Sequence, residues 1–136
     1  MAEGLSHINP PTLTNALAVG YSHAVVARGF MVFIAGQVGW DATGKMATGF
    51  DAEVRQALEN VRLALKASGA TTSHVTQIRY FMVGLTREKI ETLSKVLRDI
   101  GMWDWLKPPA GTLVGVEKLA RPEFNIEIEL MAVIPD

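Results

Sequence analysis

The sequence predicts an α+β domain in which two helices cover one face of a mixed sheet. Segments 51–68 and 86–100 repeat apolar residues at helical spacing, while the segments around them alternate or run apolar at strand length. The resulting order is β–β–α–β–α–β–β, without an internal repeat, linker or low-complexity tract. At 136 residues the chain fits one domain, 1–136, with residues 1–20 as an N-terminal arm.

Residues 1–20 are polar and punctuated by Pro10-Pro11 and Gly20, which suits an extended arm with room for one short edge strand. In 23–37 two apolar runs flank Arg28-Gly29, and a glycine there offers the positive φ of a tight hairpin. The run 30–35 is apolar on both parities, the pattern of a strand buried on both faces. Gly36-Gln37-Val38-Gly39 opens a loop, and Asp41-Ala42-Thr43-Gly44 reads as a turn.

The helix at 51–68 is the clearest element. Phe50, Val54, Ala57, Leu58, Val61 and Leu65 form one stripe of a 3.6-residue period. Asp51 or Thr48 is placed to cap its start, Gly69 to end it, and Glu53, Gln56, Glu59 and Arg62 form the solvent face. Residues 75–83 make a third strand, largely apolar on both faces. Thr86 caps a second helix with Ile90, Leu93, Leu97 and Ile100 inward and Gly101 closing it.

The closing stretch holds two strand-like runs, 112–119 and 125–134, which a short polar turn at 120–124 would join as a hairpin. The second run alternates. Ile126, Ile128, Leu130, Ala132 and Ile134 share one face; Glu127, Glu129, Met131 and Val133 share the other. Two carboxylates on an otherwise interior strand mark the place where chemistry fits best. Helices on only one side of strands that are apolar on both leave a face that a monomer would not keep open, so self-association is expected.

Composition narrows the function classes. A formal net charge of −1, with no basic stripe carrying interleaved aromatics, argues against nucleic acid as a partner. No cysteine is present, which excludes disulfides, thiol nucleophiles and thiolate metal sites. The N-terminus lacks a secretory pattern and no apolar run approaches the ~20 residues of a membrane span, so a cytoplasmic protein is expected. His7, His23 and His74 have no ligand spacing, and neither a metal nor a cofactor is expected. Ser22-His23 is no triad fragment, because adjacent strand residues face opposite ways.

The motifs YSHAVVARG at 21–29, VFIAGQ at 32–37, QALENV at 56–61 and PAGTLVGVEKLA…IEIE at 109–129 resemble the RidA family, also called YjgF or endoribonuclease L-PSP. The resemblance runs from about residue 21 to 133. It implies a chorismate-mutase-like fold, a homotrimer whose sheets form a central barrel, and ligand clefts between subunits. It also implies hydrolysis of enamines and imines to a keto acid and ammonia, with a small molecule as ligand. In such enzymes an arginine following Pro-Ala holds the substrate carboxylate; here Pro109-Ala110 is followed by Gly111, which implies a subgroup lacking that arginine.

Residue by residue, the resemblance assigns Tyr21 to the cleft, Gly36 and Gln37 to a loop offering backbone groups, and Gly111, Thr112 and Leu113 to the substrate-lining strand. Glu127 matches the glutamate that places a water, and desolvation on a covered face would suit it as a general base. The alternative is a salt-bridged carboxylate at a subunit boundary. For Glu129 a structural pair with Lys118 or Arg121 is expected. Trp103 and Trp105 fit either stacking on a ligand or anchoring an interface. Two other readings of the whole chain stand beside the hydrolase: a non-catalytic ligand-binding or regulatory trimer, and, more weakly, a ribonuclease.

Overall fold

The computed structural model describes residues 4–136, so the first three residues of the expected arm lie outside the described residues. Within it the strands are β1 (Leu5–Ile8), β2 (Ala24–Ala27), β3 (Gly29–Gln37), β4 (Val75–Val83), β5 (Ala110–Val116) and β6 (Ile126–Pro135). The helices are α1 (Phe50–Ala67) and α2 (Arg87–Asp99). The main sheet has the order β3-β6-β4-β5, antiparallel except for the β4–β5 pair, and β1 and β2 form a separate antiparallel ribbon. Both helices pack on one face of the mixed sheet, as the patterning predicts. Val54, Ala57, Leu58 and Val61 of α1 are fully buried, against Ile78 and Met82 of β4 and Ile126, Ile128 and Ala132 of β6.

Two expected hairpins are absent. β2 and β3 do not pair: β2 turns to the arm strand β1, and β3 enters the main sheet. Gly29, at φ 147°, is the corner, and a Cβ there would overlap the carbonyl of Ile134. Its lack of a side chain therefore serves a close backbone approach rather than a hairpin turn. Likewise β5 ends at Val116 and runs parallel to β4, while β6 inserts between β3 and β4. The alternating apolar face of β6 can be buried by α1 only at the centre of the sheet, and the polar stretch after β5 is long enough to let the chain cross over.

Helix boundaries match expectation closely, with local differences. Thr86 caps α2, its hydroxyl accepting from the Lys89 amide at 3.1 Å, and Gly69 follows α1 at φ 81°. The N-cap of α1, however, is Gly49, with no side-chain cap. Ile90 is exposed rather than inward, and Glu53 is buried rather than on a solvent face. On the sheet face opposite the helices, Met31 (61%) and Phe33 (68%) stand open to solvent within a single chain.

Candidate functional site

The antiparallel register fixes what surrounds each carboxylate of β6. Glu129 lies directly opposite Arg79 of β4 and accepts a hydrogen bond from its Nη1 at 2.9 Å. The partner is thus Arg79, not Lys118 or Arg121; Arg121 sits in the loop and pairs with Glu123 at 2.8 Å. Around the Arg79–Glu129 pair, Phe33, Ala35, Gln77 and Met131 form a hollow of about 360 Å3 on the uncovered face.

Glu127 lies opposite Phe81 and has no ion pair or hydrogen bond among the described residues. Gly36, in the stretch where the β3–β6 register shifts, is what admits it: a Cβ on Gly36 would overlap the Glu127 carboxylate. The Gln37 side chain is turned back, its Nε2 donating to the Ala35 carbonyl at 3.1 Å. Gly36, Gln37 and Glu127 are therefore brought together by one irregularity between two neighbouring strands.

Tyr21, Gly111, Thr112 and Leu113 form a second group. Ser22 bridges to Ala110, its amide donating to the Pro109 carbonyl at 3.0 Å and its hydroxyl to that of Pro108 at 2.6 Å. This lays Tyr21 across Gly111, where an added Cβ would stand 3.1 Å from the Tyr21 Cβ. With Tyr80, Leu93, Leu97 and Trp105 these residues line a cavity of about 320 Å3 between β5 and α2. Burial pushes the Tyr80 phenol well above its ordinary pKa, so it remains protonated. Trp105, rather than Trp103, joins the group. Trp103 lines a different hollow, with His7, His74 and Asp104, and its buried Nε1 has no partner among the described residues.

The histidines serve local structure: His7 is hydrogen-bonded to the Pro108 carbonyl, His23 to that of Thr14 and His74 to the Thr71 amide. No group of three or more potential metal ligands occurs among the described residues.

Sequence reasoning missed the residue that holds the start of β6. The Glu53 carboxylate, 3% exposed, accepts from the Asn125 amide at 2.7 Å, Asn125 Nδ2 at 2.9 Å and the Ile126 amide at 3.2 Å. Gly39 packs so tightly on Glu53 that a Cβ would overlap its Cγ. One α1 turn pair further, Asn60 Nδ2 donates to the carbonyls of Val38 and Trp40 at 2.9 and 2.8 Å. Together they tether both segments next to Gly36 and Glu127. A signal was present: Glu53 lies three residues after Phe50 and four before Ala57, on the border of the apolar stripe.

The family model described as Endoribonuclease L-PSP matches residues 13–134, nearly the whole chain. The chain belongs to the endoribonuclease L-PSP (RidA/YjgF) family. A RutC family protein of Aquifex aeolicus is 32% identical over 114 residues, covering 83% of this chain and 87% of that protein. A 2-iminobutanoate/2-iminopropanoate deaminase of Dermatophagoides farinae is 31% identical over 116 residues, 84% and 85% of the two chains. Among solved structures, the Rid-family protein YyfB of Yersinia pestis, of unknown function, matches with a TM-score of 0.86 and 31% identity over 96% of this chain and 99% of that one. The RidA/YjgF fold of two helices on a mixed sheet is thereby established for this chain. No helix among the described residues is long and apolar enough to cross a membrane.

Proposed function

We propose that this RidA/YjgF protein is a cytoplasmic homotrimer that binds a small metabolite in clefts between subunits and hydrolyses an enamine or imine with Glu127 and a water. The observation that carries the chemistry is the state of Glu127: a half-buried carboxylate beside Gly36, without the ion pair that neutralises Glu129. Such a group is free to take a proton from water as the water oxygen attacks the C=N carbon. Returning that proton to nitrogen gives the carbinolamine, and carrying its hydroxyl proton to the amine then breaks the C–N bond, so that C=NH and H2O become C=O and NH3.

The trimer is supported by Met31, Phe33, Gln77 and the Arg79–Glu129 pair lying together on the open sheet face. A neighbouring copy seated there would shield Glu127 from bulk solvent and supply the walls that one chain lacks. The deaminase relative supports the reaction class.

A second reading, a binding or regulatory trimer without turnover, is favoured by Gly111, which offers no side chain where imine deaminases resembling this chain place an arginine. Sedimentation velocity and an ammonia-release assay decide both points. The proposal expects a trimer at micromolar concentration and ammonia release from a neutral imine generated in situ. A monomer would remove the assembly, and a trimer silent toward both neutral and carboxylate-bearing imines would remove the hydrolase and leave the binder.

A further inference from the structure

The cavity between β5 and α2 has walls unlike those a carboxylate would require. Among its lining residues none is charged. Tyr21, Leu93, Leu97, Trp105 and Leu113 are among its walls, and Gly111 supplies bare backbone where a side chain would push Tyr21 aside. Arg98 stacks on the Trp105 ring at 5.3 Å and is not itself part of the wall. The polar groups facing the space are hydroxyls. Tyr80 is 8% exposed, its hydroxyl has no hydrogen-bond partner among the described residues, and burial holds it protonated. An unpaired donor beside apolar walls recognises a neutral acceptor such as a carbonyl oxygen, whereas an ionised group there would lose its hydration without gaining a counter-ion.

We infer that this cavity is a binding site for a neutral small molecule carrying an apolar ring or chain and a single hydrogen-bond acceptor, with Tyr80 as the donor that orients it. A volume of about 320 Å3 lies at the small end of ligand pockets, which run from roughly 300 to 1,000 Å3, and suits a molecule of about ten non-hydrogen atoms. The inference shares Tyr21, Gly111, Thr112 and Leu113 with the site proposed above and rests on that reading for these four residues. Glu127 of the same chain, on the opposite face of the sheet, is not among its walls.

The test uses the full-length protein and a matched pair of probes, phenylacetamide and phenylacetate, which share the ring and carbonyl and differ in charge. Binding is followed by amide shifts in ¹H–¹⁵N correlation spectra. Phenylacetamide is expected to saturate with a dissociation constant on the order of 1 mM, the range for so small a ligand, moving Gly111, Leu113 and the Trp105 indole. Phenylacetate should bind at least about tenfold more weakly. Tyr80→Phe should weaken phenylacetamide about fivefold, as for loss of one hydrogen bond. Ser94→Phe, at a half-exposed wall position on α2, should block it while the melting temperature stays near wild type.

Phenylacetate binding as tightly as the amide, shifts confined to the Phe33–Glu129 face, unchanged affinity in Ser94→Phe, or no saturable binding would each overturn the inference. Glu127→Gln separates it from the hydrolase: loss of turnover with phenylacetamide affinity intact is the expected pattern. Loss of that affinity as well would overturn the independence of the cavity from Glu127.

Discussion

Replacing Glu53 by alanine removes three contacts at once from the segment that leads into β6. The carboxylate accepts from two backbone amides, Asn125 and Ile126, and from the Asn125 side chain, all while 3% exposed. Asn125 Nδ2 also reaches the Glu123 carbonyl at 3.3 Å, so its loss is partly offset. The two amides have no such substitute in the structure. Two stranded donors, one buried and one part-buried, at about 1–3 kcal/mol each, together with the smaller side-chain loss, put the cost of Glu53→Ala near 3–5 kcal/mol. Glu53→Gln keeps the volume and can hold its one acceptor oxygen against the two amides, both of which use Oε2, but sets its NH2 against Asn125 Nδ2, for a cost of about half as much. Urea unfolding at fixed protein concentration reads this directly, as a shift in midpoint with unchanged slope. A Glu53→Ala protein within about 1 kcal/mol of wild type, a spread ordinary for surface substitutions, would refute the clamp. So would a glutamine variant as unstable as the alanine one, because acceptor geometry would then not be the cause.

The same structure leads to three further expected outcomes. If the proposed trimer brings one copy's Gly111 to a neighbour's Glu127, Gly111→Arg should raise kcat/KM for a 2-iminobutanoate-type substrate by about 30-fold or more, since a charge-assisted pair to a buried group is worth ~2–5 kcal/mol; Tyr21 has only to yield slightly at the 3.1 Å contact, and no gain would show that arginine is not what limits the site. The Arg79–Glu129 pair, with side chains 48% and 34% exposed in one chain, should couple by about 0.2–1 kcal/mol if its face stays open and by several kcal/mol if another copy covers it. A double-mutant cycle therefore reports whether that face is buried, and a coupling below ~1 kcal/mol argues against it. Asp99 is held below its ordinary pKa by hydrogen bonds from Lys95 and Arg55. A depressed folded pKa gives stability that is present above the unfolded value and lost as pH falls through the folded one. Asp99→Asn should therefore differ from wild type at neutral pH and converge with it below about pH 4; melting temperatures measured from pH 6 to 3 check this.

The elements themselves were legible wherever local chemistry decides. β4 at Val75–Val83, the Thr86 cap and the two-faced pattern of β6 all follow from spacing alone. Pairing was not legible. Arg28-Gly29 and the polar stretch after β5 carry hairpin chemistry, yet burial of the apolar face of β6 against α1 draws that strand to the centre of the sheet. The same tertiary choice sets the site. Which cation meets Glu129 depends on the β4–β6 register, and sequence proximity favoured Lys118 and Arg121 over the distant Arg79. Gly36 beside Glu127, and Tyr21 beside Gly111, came from the family resemblance; periodicity gives no reason to join them. Glu53 was misplaced because a charged residue at the edge of an apolar stripe reads as solvated until its amide partners, 72 and 73 residues away, are in place.

Ammonia release by wild type and Glu127→Gln, measured side by side on the same neutral imine, tests the proposed chemistry most directly. Glutamine keeps the shape against Gly36 and removes the base. The account predicts that the variant loses about 10²–10⁴-fold in rate while sedimenting as wild type does. A variant that turns over at the wild-type rate would contradict it.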